Sequence, residues 1–78
     1  MKPEKINSLI KLERERQDRL FPEWQLEHKP NEIWCNLAME ELGKIAKNIN
    51  EEESPIVEMI QLTALMLAWL EVFEWKKE

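Results

Sequence analysis

The apolar and polar positions of this chain fall into three helical patterns separated by two breaks. Over residues 3–19 the apolar side chains Ile6, Leu9, Ile10 and Leu12 stand among polar residues at the spacing of an amphipathic helix. Pro3 suits its first turn, where a missing N–H has no intrahelical bond to lose. Pro22 and Pro30 bracket a loop over residues 20–30 that also carries Phe21, Trp24, Leu26 and His28, so the loop is expected to pack. A second helix is predicted over 31–49, with Asn31 as N-cap and Glu32 in the first turn. Its apolar stripe runs Ile33, Trp34, Leu37, Ala38, Leu42, Ile45, Ala46 and Ile49. The polar run Asn50-Glu51-Glu52-Glu53 breaks it, and Ser54-Pro55 supply the N-cap and first position of a third helix over 55–75. No stretch alternates with period two. The pattern predicts an all-α fold of three antiparallel helices in one domain, residues 1–78.

The third helix lacks a polar face. From Ile56 to Leu70 only Glu58, Gln61 and Thr63 are polar, and they do not share one side. A helix apolar all round is either buried on every side or spans a membrane. The apolar run of about 15 residues, interrupted by Glu58 and closed by Glu71 and Glu74, falls short of the roughly 20 that a span needs. Three helices cannot surround one of their own number. A homodimer or homotetramer that completes a helical bundle is therefore expected, with no membrane partner.

Composition sharpens this picture. A chain of 78 residues buries only roughly 60–65% of its unfolded surface, which leaves an isolated monomer marginal. One Cys and one His exclude an internal disulfide and a zinc site. One glycine, Gly43, excludes phosphate-cradling glycine loops. The net charge of −5 argues against a nucleic-acid partner. The basic residues concentrate early: residues 1–19 hold six basic and four acidic groups, the remainder five and twelve. No leader-like run opens the chain, so a cytoplasmic location is the expectation.

Two helices aim carboxylates at the shared core. Glu41 falls inside the apolar stripe of the second helix, four residues from both Leu37 and Ile45, with Glu40 and Lys44 at its edge. Desolvating an unpaired carboxylate costs several kcal/mol, so it requires a metal ion, an arginine or a hydrogen-bond network. Glu58 and Gln61 lie one turn apart on the third helix. Helical bundles build carboxylate metal sites from such pairs, and hard oxygen ligands suit Mg2+ or Mn2+. The competing reading is a buried ion pair between Glu41 and one of Arg14, Arg16 and Arg19.

The same residues resemble a known family. Glu13-Arg14-Glu15-Arg16-Gln17-Asp18, then His28 and Trp34, then Glu40-Glu41-Leu42-Gly43-Lys44-Ile45-Ala46-Lys47, then Glu58-Met59-Ile60-Gln61-Leu62 with Ala68-Trp69-Leu70-Glu71, follow in order the segments of MazG-like all-α nucleoside triphosphate pyrophosphohydrolases. The resemblance is to the small versions found in phages and prophages, and it covers the chain from Glu13 onwards. It implies a Mg2+-dependent split of a nucleoside triphosphate into monophosphate and pyrophosphate. The family's metal motif is EExxE followed by ExxD. By that resemblance Glu40, Glu41 and Glu58 are the metal ligands, with Glu41 and Glu58 the catalytic carboxylates in an active member. Gln61 stands where the Asp would be, a position at which small phage-type members often carry Gln. Lys44 stands where the third Glu would be.

Lys44 lies three residues after Glu41 and four after Glu40, within reach of either. An ammonium there repels a divalent cation and offers a point charge to a phosphate. The candidate ligand-binding set is Arg14, Arg16, Gln17, Arg19, Phe21, Trp24, Lys44 and Gln61. The arginines suit phosphate, the Gln amide a base edge, and the aromatics stacking on a base. The alternative for Arg14 to Arg19 is a solvated helix face with Glu13, Glu15 and Asp18 as intrahelical partners, and for Phe21 and Trp24 the core; Cys35 is read as a small packing residue. The sequence thus points to a nucleotide or nucleotide-derived signal bound with weak or no hydrolysis. An active pyrophosphohydrolase is the alternative, and a helical protein-interaction adaptor the third reading.

Overall fold

A computed structural model describes residues 1–20, 30–73 and 75. These form three helices, α1 (Pro3–Leu20), α2 (Asn31–Asn50) and α3 (Ile56–Val72), with no strand among the described residues. No described helix is long and apolar enough to cross a membrane.

Helix α3 packs against both α1 and α2. Ala64, fully buried, and Leu65 supply its contribution to the core; α2 supplies Trp34 and Ile45, and α1 the buried amide of Gln17. A methyl at Ala64 lets neighbouring helices approach closely where they cross. The indoles of Trp34 and Trp69 stack with centroids 6.4 Å apart and planes within 4°. Trp69 Nε1 donates to Asn31 Oδ1 at 3.1 Å. Asn31 opens α2 and Trp69 lies near the end of α3, so the two helices run antiparallel about the short 51–55 connection.

Three local departures from the sequence pattern have physical causes. Asn31 is not the cap: Pro30, at φ −57° and ψ 148°, holds that position, and the Asn31 side chain serves Trp69 instead. Helix α3 stops at Val72, because Phe73 turns extended (φ −65°, ψ 128°) and packs its ring edge-on against Trp69. Leu12 points outward, and the inward stripe of α1 passes from Ile6, Leu9 and Ile10 to Glu13 and Gln17. Cys35 is likewise exposed rather than packed.

The acidic break is a built turn. Glu53 N–H donates to the Asn48 carbonyl (2.7 Å) and Glu52 N–H to that of Ile49 (3.2 Å), the paired bonds of a Schellman cap. Glu52 sits in the left-handed region at φ 59°, where glycine is usual. Ser54 is not the cap of the next helix: Pro55, at φ −91° and ψ 9°, holds that position, and Ser54 Oγ accepts the Ile56 N–H from one residue earlier at 3.4 Å.

Candidate functional site

Helix α2 places the carboxylates as its 3.6-residue period dictates. Glu41 shares the inward stripe with Trp34, Ala38 and Ile45, and its side chain is 20% exposed. Glu40, one residue earlier and about 100° away, is exposed. Lys44 reaches back along the helix and donates from Nζ to Glu41 Oε1 at 3.2 Å. The other oxygen, Oε2, is buried with no hydrogen-bond partner among the described residues. A buried acceptor left in that state costs about 1–3 kcal/mol.

Glu58 and Gln61 are half-buried in the first turns of α3. The backbone carbonyl of Gln61 accepts a bond from Gln17 Nε2 at 3.3 Å. The same nitrogen donates to Glu13 Oε2 at 2.9 Å, and that oxygen also takes Arg16 at 2.9 Å. Gln17 is therefore a tie between α1 and α3, and its amide nitrogen is committed to that tie. Among the described residues, no three Asp, Glu, His or Cys side chains gather as a metal-binding group. Glu40, Glu41 and Glu58 do not converge as such a set within one protomer. One Glu41 oxygen without a partner fits a cation, while the ammonium on its neighbour opposes one. Among the described residues, Glu40, Glu41 and Glu58 by themselves do not make up a Mg2+ site.

The arginines separate. Arg14 crosses from α1 to α3 and pairs with Glu71. Together with Gln17, Asp18 and Trp34 it lines a cleft of about 170 Å3 closed on the α3 side by Ala68 and Val72. Arg16 and Arg19 face a different groove, of about 400 Å3, floored by Leu9, Leu12, Ile56 and Ile60. Two residues along a helix turn a side chain through about 200°, so Arg14 and Arg16 cannot address one ligand from a single face. Arg14 and Arg16 also take Glu71 and Glu13 as partners, so the expected arginine pairing of Glu41 goes to Lys44 instead. Phe21 and Trp24, with His28, lie outside the described residues.

Glu13 pairs with Arg16 within α1 as the solvated-face alternative has it, but two roles were not singled out by the sequence reading: Glu13 as the acceptor that anchors Gln17, and Glu71 as the partner of Arg14. The inward stripe of α1 could have identified Glu13, which lies three and four residues from Ile10 and Leu9. No comparable signal marks Glu71, which a long Arg14 side chain reaches from another helix. Comparison with family models, curated proteins and solved structures finds no match to this chain.

Proposed function

We propose that this protein binds a nucleotide or nucleotide-derived signal on a MazG-like helical scaffold, as a subunit of a homo-oligomer, with weak or no hydrolysis. The observation that carries this reading is the ion pair of Lys44 with Glu41. An ammonium sits on the carboxylate that metal-assisted hydrolysis would require, and it adds a positive charge for a phosphate group. The Arg14 and Gln17 cleft supports the same reading, because it places a guanidinium and the buried Trp34 around a space comparable with a nucleobase.

Calorimetric titration with a panel of nucleoside mono-, di- and triphosphates, with and without Mg2+, tests the proposal. Saturable binding of one class, with substoichiometric release of pyrophosphate over hours, is the expected result. No heat with any member of the panel overturns it.

A second reading, an active pyrophosphohydrolase, is favoured by one observation: the unpartnered Oε2 of Glu41. Multiple-turnover pyrophosphate release that is abolished by Glu41→Gln would establish that reading and displace the first.

A further inference from the structure

Gln17 is the polar side chain that the fold buries among the described residues, at 7% exposure, and only one end of its amide is used. Nε2 donates twice, to Glu13 Oε2 and to the Gln61 carbonyl. Those two bonds fix which end is nitrogen, since an oxygen there would face two acceptors. Oε1 is thereby an oriented acceptor, and no donor among the described residues reaches it. It is not sealed in the core, and Gln17 lines the cleft shared by Arg14, Asp18 and Trp34. An acceptor held on a buried side chain is satisfied by whatever donor enters that cleft.

The rest of the lining has the same bias. Asp18, the next residue of α1, brings a carboxylate that makes no ion pair or hydrogen bond among the described residues. Glu71 is a second carboxylate, held by Arg14. Trp34, Ala68 and Val72 supply apolar wall. Two carboxylates and Gln17 Oε1 thus stand against a single guanidinium, and the cleft is negative and rich in acceptors. A phosphate group brings only acceptors and negative charge, so the interior repels it. An occupant that fits brings N–H donors on a flat apolar body.

We propose that the cleft takes the base end of the ligand with the phosphates outside, and that the base is guanine. The proposal rests on the nucleotide reading above and deepens it by naming the base. Guanine presents N1–H and its N2 amine side by side, two donors for Asp18 and Gln17 Oε1. Its O6 and N7 lie beyond them as acceptors for Arg14. The guanidinium has several N–H donors, so its pairing with Glu71 leaves others for the base. Adenine and cytosine each set a ring-nitrogen acceptor beside the amine, and uracil flanks its one ring N–H with two carbonyls. Each of these turns an acceptor towards a carboxylate, and a site built to receive N–H groups rejects such ligands strongly. A small guanidinium ion carries paired donors too, but it has no acceptor for Arg14 and repels that charge. The cleft volume of about 170 Å3 admits a bicyclic base.

Calorimetric titration of the full chain without metal tests the base. The probes are the 5′-monophosphates of guanosine, inosine, adenosine, cytidine and uridine, with guanosine itself. Guanosine monophosphate is expected to bind about tenfold or more tightly than the adenine, cytosine and uracil nucleotides. Inosine monophosphate, which lacks only the N2 amine, should bind about tenfold more weakly than its guanine counterpart. Asp18→Asn, at an exposed position, should cut the guanine preference at least severalfold. A second readout needs no variant: the Gln17 side-chain amide resonances shift on saturation with guanosine monophosphate. Equal affinity for all bases, or preference for another base, overturns the proposal and leaves the nucleotide reading standing. A guanine preference indifferent to Asp18→Asn, with the Gln17 resonances unmoved, overturns it too, as does displacement of the guanine nucleotide by an equal concentration of methylguanidinium. Guanosine binding as tightly as its monophosphate upholds the guanine cleft and rejects a role for phosphate. Binding of no member of the panel rejects both.

Discussion

Lys44 is the residue on which the chemistry turns, because its ammonium and a divalent cation compete for the same carboxylate. Replacing it by glutamate changes the local charge by two units beside Glu41. At an effective dielectric of about 20, each unit charge 4 Å away interacts by about 4 kcal/mol before screening, so even a strongly attenuated effect is large. Lys44→Glu is expected to tighten Mn2+ binding at least tenfold, read by the paramagnetic signal of free Mn2+, with Lys44→Ala intermediate. Equal, weak Mn2+ binding in all three proteins would remove Lys44 as the cause. Gln17 gives a second prediction at this scale. Its buried amide bridges Glu13 and the Gln61 carbonyl, so Gln17→Ala should lower unfolding stability by about 1–3 kcal/mol in urea melts. An unchanged midpoint would show that the bridge contributes nothing net. The inward aim of Glu41 was legible in the sequence because it follows from position alone within the α2 stripe. Its partner was not, because Lys44 and three arginines were all within side-chain reach, and only the packed geometry assigned Arg14 to Glu71 and Arg16 to Glu13.

At the scale of elements, punctuation by Pro, Ser and acidic residues was enough to order three helices along the chain. What it did not reveal was how the second break closes. The run Asn50-Glu51-Glu52-Glu53 carries no glycine, yet the chain adopts the glycine-type cap, with Glu52 left-handed at φ 59°. A side chain in that region costs about 1–2 kcal/mol, a strain that the surrounding bonds from Glu52 and Glu53 offset. Glu52→Gly is therefore expected to stabilise the protein by up to about 1 kcal/mol, read as a higher thermal midpoint, while Glu52→Val destabilises it. A fall in midpoint for the glycine variant would count against the left-handed assignment. Asn31 illustrates a different limit. The same residue type serves as a cap or as an acceptor for an indole N–H, and the choice was made by Trp69, thirty-eight positions away.

For the whole molecule, small size and a third helix without a polar face both imply that one chain does not finish its own core. The structure leaves Leu42, Ala46 and Ile49 of α2 exposed, together with Met59, Met66 and Leu70 of α3, whereas the sequence pattern treated Leu42, Ala46 and Ile49 as inward. The inward and outward stripes of α2 are adjacent and both apolar, so periodicity alone merges them into one wide face; only burial separates Ile45 from Leu42. If four helices share the core, unfolding releases two chains, and stability depends on concentration through mass action. Each tenfold rise adds about 1.4 kcal/mol per dimer. Spread over the unfolding entropy of two such chains, it raises the thermal midpoint by about 4 °C. Scanning calorimetry across two decades of concentration should show that slope in the wild-type chain and lose it in Met66→Glu, whose midpoint should also lie lower at every concentration. A flat midpoint in the wild-type chain would mean that a single copy is stable with Met59, Met66 and Leu70 of α3 exposed.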